Sequence, residues 1–232
     1  MRVAPVLIAL AAVACSPQAP ASKAPAKAQS AVAAPAPIDA PAGEYALDPA
    51  HTSVVFRVSH LGFSMYTARF EKAAGKLVFD PARPEAQSVT ATIAADSVDT
   101  DYPEPEKLDF DTLVETQFLG ARQFPQITFR STKVEPTGPR AARVTGDLTL
   151  GGVTRPVTLE ATFNGGYPAN AMDGARIGFS AKGRFKRSDF GLIYGLPTPG
   201  TNMGVGDEVE VIIETEFTRG APVPAGSGDP AS

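Results

Sequence analysis

The sequence predicts an all-β fold, built as one antiparallel sheet closed on itself or folded over. Three observations carry that expectation. Eight runs alternate apolar and polar residues with a period of two, the pattern of strands with one buried face. Turn signals separate the runs. Only one stretch, residues 106–118, breaks the rhythm, so helix should be confined to a single short segment.

In the first run Val54, Phe56, Val58 and His60 share a face, with Ser53, Arg57 and Ser59 opposite. Leu77 and Phe79 alternate with Lys76 and Asp80, and Val89, Ala91 and Ile93 with Thr90 and Thr92. Ile127 and Phe129 alternate with Thr128 and Arg130, then Val144, Leu148 and Leu150 with Thr145, Asp147 and Thr149. Val157, Leu159, Ala161 and Phe163 alternate with threonines and Glu160. Ile177, Phe179, Ala181 and Phe185 leave Lys182, Arg184 and Lys186 on the outer face. The last run places Val209, Val211, Ile213 and Phe217 inward and Glu208, Glu210, Glu214 and Glu216 outward. Some of these glutamates should pair across strands with the basic row. Asp80-Pro81, Pro136-Thr137-Gly138-Pro139 and Gly151-Gly152 are the plainest turns, and the glycine pair reads as a tight hairpin. In residues 106–118, Leu108, Leu113 and Phe118 form one apolar side of a poor helix, expected as a plug or lid near a barrel mouth.

The ends read differently. Residues 1–14 carry Arg2, an apolar stretch and small residues before Cys15, the pattern of an export signal. The cysteine position looks like a lipobox with Ala12 in place of the usual leucine, so Cys15 is the expected acylated N-terminus. Ser16 leans towards outer-membrane anchoring in the periplasm. Residues 15–43, rich in Ala and Pro, are expected to be a disordered tether with a reach of about 30 Å as a coil and about 87 Å extended. Residues 44–219 form the folded domain, and 220–232 a second disordered tail. A net charge of −4 argues against a nucleic-acid partner.

Several stretches resemble the YceI-like family of exported, lipocalin-like barrels. They are Asp48-Pro49-Ala50-His51-Thr52-Ser53, Val58-Ser59-His60-Leu61-Gly62, and Phe124-Pro125-Gln126-Ile127-Thr128-Phe129-Arg130-Ser131-Thr132. Further along come Gly146-Asp147-Leu148-Thr149-Leu150, Gly152-Val153-Thr154-Arg155-Pro156-Val157-Thr158-Leu159, Arg187-Ser188-Asp189-Phe190-Gly191 and Val205-Gly206-Asp207-Glu208-Val209. The resemblance implies an eight-stranded antiparallel barrel with an elongated apolar cavity. It also implies binding of a polyisoprenoid or similar amphiphile, without catalysis. Two departures stand out: residues 101–111 are acidic and lack His where the family often has a basic, His-containing segment, and Ala68 replaces a frequent Gly.

An eight-stranded barrel either fills its interior or holds one small ligand, and periodicity alone leaves a dry, packed core open. Taken with the resemblance, the expected ligand-contacting set is Phe56, Val58, His60, Phe70, Phe79, Phe129, Phe163, Phe179 and Phe185 on strands or their ends. Phe63, Met65, Phe190 and Leu192 join it from ends and loops. His60 is a candidate headgroup contact or a core histidine satisfied by the backbone. The acidic residues Asp96, Asp99, Asp101, Glu104 and Glu106 lack the spacing of a calcium loop, so no metal and no resident cofactor are expected. Two histidines and a single cysteine leave no Cys–His or multi-His catalytic set. A lipid-binding module is the leading reading. An envelope interaction protein with a filled barrel and a weak enzyme acting on bound lipid are the alternatives, and pairing with a second copy is left open.

Overall fold

The computed structural model describes residues 39–220; the expected signal segment, Cys15, most of the tether and nearly all of the C-terminal tail lie outside them. Ten strand segments are present: β1 (Gly43–His60), β2 (Ser64–Phe70), β3 (Ala73–Phe79), β4 (Ser88–Ala94), β5 (Val98–Asp99), β6 (Gln126–Gly138), β7 (Ala141–Leu150), β8 (Val153–Tyr167), β9 (Ala175–Lys186) and β10 (Val205–Arg219). All pairings are antiparallel, and β10 pairs with β1 to close the ring.

Ten segments make eight barrel strands because two strands are kinked. The C-terminal half of β1 pairs with β2 and its N-terminal half with β3, so β2 and β3 are one strand broken at Glu71 and Lys72. Its neighbour breaks likewise: β4 pairs with β3, and β5 with β2. Buried Ser97 ties both kinks together. Its hydroxyl donates to Ala94 O at 2.7 Å and accepts from Lys72 N at 3.1 Å, while its carbonyl accepts from Glu71 N. β6 pairs with β4 but not with β5. The seam opened there is where the connection between β5 and β6 packs.

That connection holds the only α-helix among the described residues, α1 (Phe110–Leu113), continued by a π-type turn over Val114–Leu119. Asp109 caps it by accepting from Thr112 N at 3.0 Å, which satisfies a free helix-start donor. Its apolar side is Phe110, Val114 and Phe118, all on the inner wall. The expected Leu108 and Phe118 line that wall but Leu113 does not, because the inner face runs through Phe110 and Val114, four residues apart.

The hairpin between β7 and β8 turns on Gly151 and Gly152, with φ of 57° and 75°. Two consecutive left-handed residues define the tight turn that matches strand twist. The turn expected at residues 136–139 lies slightly later, since β6 continues to Gly138. Pro49 sits in a bulge of β1 between Asp48 and Ser53, where a proline costs no ladder bond. The expected outer ion pairs form between β9 and β10: Arg184 lies opposite Glu210 and meets it at 3.0 Å, with Glu208 at 3.6 Å.

Candidate functional site: the barrel lumen

The inward side chains enclose a cavity of about 750 Å³ that runs from the β6–β7 turn to the helical segment at the other end. Small residues hold the middle open. Ala91, Ala161 and Ala181 are on the wall, and Gly146 lies beneath the Phe129 ring, where a Cβ would come within 2.4 Å of it. Large residues gather at the ends instead. At the end where β1 begins, Tyr45, Phe79, Phe163, Phe179 and Phe217 form a chain of ring contacts 5.4–6.3 Å apart. At the other, Phe56 meets Phe70 at 5.3 Å and Tyr66 meets Phe110 at 5.5 Å.

Ten of the expected residues line this cavity: Phe56, Val58, His60, Phe70, Phe79, Phe129, Phe163, Phe179, Phe185 and Leu192. Three do not reach the wall. Phe63 stands in the β1–β2 turn, 83% exposed. Met65 has the outward parity of β2, whose inward residues are Tyr66, Ala68 and Phe70. Phe190 is buried behind the wall against Phe185, with ring centroids 5.3 Å apart.

The alternation alone did not single out Tyr66, Phe110, Val114, Leu119 or Arg187, all of which line the cavity. Arg187 is 5% exposed. Its Nε donates to Gly206 O at 2.8 Å, Nη1 to the carbonyls of Leu192 and Tyr194 at 2.8 Å each, and Nη2 to Val205 O at 2.7 Å. Burial pushes its pKa down, partly offset by the nearby Asp207 carboxylate. The signal for it was parity, since residue 187 continues the inward series of Phe179, Ala181 and Phe185. A charge at such a position calls for a fixed set of acceptors.

The wall carries Arg140 and Arg187 but no carboxylate among the described residues. Arg140 lies over the Phe163 ring at 5.6 Å. His60 is exposed at the rim and paired with Val205 in the strand register, which sets it beside a carbonyl that Arg187 holds.

A second polar cluster lies on the outer surface. Asp48, His51 and Glu216 each offer an atom within 4.8 Å of the others. Arg176 already occupies that space: Nη1 meets Asp48 at 2.8 Å and Glu216 at 2.5 Å. Its hydrogen bond is the largest cause holding the Asp48 pKa at about 2, followed by that of His51. A metal there would have to displace the guanidinium. The acidic residues near β5 are likewise partnered in part: Asp99 binds Arg69 at 2.8 Å, and Glu104 binds Lys107.

A closed antiparallel barrel around one apolar lumen, capped by a helical segment, is a lipocalin-like barrel. The chain belongs to the YceI-like family, whose domain model matches residues 45–217. It is 40% identical over 178 residues to Protein YceI of Salmonella arizonae, covering 75% of this chain and 86% of the relative. Among solved structures it is similar to Burkholderia cenocepacia BcnA, with a TM-score of 0.60 and 27% identity over 73% of this chain and 98% of that one. The Campylobacter jejuni YceI protein gives 0.58 and 28%, covering 70% and 90%. A polyisoprenoid binding domain from Saccharophagus degradans shares the fold, with a TM-score of 0.55 at 16% identity, covering 77% and 98%.

Proposed function

We propose that this barrel holds a polyisoprenoid, quinone-like or similar amphiphile in its lumen and does not transform it. The observation that carries this reading is the continuous apolar cavity of about 750 Å³, within the size range of small-molecule sites. A hollow lumen also weighs against the filled-barrel interaction reading, which needs side chains meeting across the middle. Each five-carbon isoprene unit moved from water to this wall gains up to about 4 kcal/mol, much of it offset by ordering the chain. The tail lies along Phe56, Phe129 and Phe185, with its headgroup near His60 and Leu192. The protein works in the periplasm, exported by its N-terminal signal and anchored to the outer membrane through Cys15.

Uptake of a polyprenol added to delipidated protein tests this. Ala161→Trp, which fills the middle of the lumen, should abolish uptake while the fold persists. Unchanged uptake by that variant would move the ligand out of the barrel.

A further inference from the structure

We propose that the loops at the helical end of the barrel form a membrane-docking surface that seats the mouth of the cavity on a lipid bilayer. This rests on the lumen holding a lipid, as proposed above. Five large apolar side chains are exposed there: Phe63 at 83%, Met65 at 42%, Ile193 at 67%, Tyr194 at 48% and Met203 at 63%. They belong to two segments that touch. Leu61 N donates to Gly204 O at 2.8 Å, and the Gly62 backbone packs on the Asn202 side chain. Tyr194 meets Phe118 of the helical segment at 4.9 Å.

Three features identify the occupant as a bilayer. First, the apolar surface continues into the cavity, because Leu192, Val205 and Phe118 line the wall beside the exposed residues. A lipid leaving a membrane would follow these apolar side chains past Arg187, whose guanidinium is already engaged by four main-chain carbonyls. Second, residues 191–206 and 61–68 contain no Asp, Glu, Lys or Arg. Those two segments offer a protein partner no charge to read, and the acidic residues 99–109 at the same end suit no anionic surface, whereas Phe, Tyr, Ile and Met suit the boundary between neutral headgroups and acyl chains. Third, the loop is held out. The buried Arg187 grips the carbonyls of Leu192, Tyr194, Val205 and Gly206, so Ile193 and Tyr194 cannot fold back over the mouth. Leu61 adopts a φ of 54°, an unusual conformation for a leucine, in the turn that raises Phe63. Among the described residues no helix is long and apolar enough to cross a membrane, so the contact is peripheral.

The chain has no tryptophan, which permits a direct test on the full chain. Single tryptophans are placed by Phe63→Trp, by Ile193→Trp and, at the opposite end, by Met172→Trp, a position 90% exposed. Each protein is mixed with phosphatidylcholine vesicles whose acyl chains are brominated. Loss of emission at positions 63 and 193 but not at 172 is the expected result, and it locates the contact independently of any N-terminal anchor. No loss at 63 and 193, or equal loss at all three, overturns the docking surface. A blue shift that appears on raising protein concentration without vesicles also overturns it, in favour of a second copy. Uptake of polyprenol delivered without vesicles is measured alongside. Normal uptake with unquenched tryptophans would sink the docking surface and leave the lumen reading intact, whereas absent uptake would sink the lumen reading itself.

Discussion

Phe79 on β3 and Phe163 on β8 stack with ring centroids 5.6 Å apart and an interplanar angle of 20°, although their strands are not neighbours in the ring. The contact crosses the lumen. It makes the aromatic cluster at this end a floor that joins opposite walls, while the middle stays hollow. Phe79→Ala should therefore cost stability, by about 3–5 kcal/mol, because both rings are buried and the gap cannot close easily. Urea unfolding measures it; a loss below about 1 kcal/mol would mean the floor is not tightly packed.

The hollow middle makes the opposite prediction for added volume. Ala161→Trp should change unfolding free energy by less than about 1 kcal/mol, where the same insertion in a filled core costs about 1–3. A larger loss in urea unfolding of lipid-free protein would show that the middle of the barrel is packed.

Arg187 holds four carbonyls, those of Leu192 and Tyr194 in the loop and those of Val205 and Gly206 at the start of β10. Replacing it by Ala strands those carbonyls and should cost about 2–4 kcal/mol. Amide exchange in residues 191–206 should rise most. Arg187→Lys should not rescue the loop, because an ammonium has three donors and no planar fork. Full protection in the lysine variant would reduce Arg187 to a generic charge.

Asp48 gives a pH signature. Its folded pKa of about 2 lies below the ordinary 3.8, chiefly through the hydrogen bond from Arg176 and next through that from His51. A depressed carboxylate adds stability above its unfolded value and loses it as pH falls through the folded one, so the loss falls between pH 3.8 and about 2. Solvent screening at this partly exposed site limits the effect to about 1 kcal/mol. Asp48→Asn should flatten that part of the pH–stability curve and leave neutral-pH activity in lipid uptake unchanged. An unaltered slope would place the acid sensitivity elsewhere.

The period of two was enough to tell inside from outside at most strand positions, because alternation fixes which face a side chain takes. It did not isolate β2, whose inward residues are Tyr66, the small Ala68 and Phe70, with apolar Met65 outside. The kinks at Glu71–Lys72 and at Ser97 were also hidden, since a broken strand and two short strands look alike in one dimension. Whether the lumen is hollow depends on distances across the barrel, such as the spacing of Ala161 from the far wall. No local pattern encodes that, so only the resemblance pointed to a cavity. Arg187 was legible in principle: it continues the parity of Phe185, and a charge there was the exception to explain.

The most direct test is organic extraction and mass spectrometry of the protein purified without added lipid from a bacterial periplasm. One long-chain amphiphile at close to equimolar amount, lost on Ala161→Trp, is the predicted result. A protein that carries no such lipid, and takes up none when polyprenol is supplied, would contradict the account.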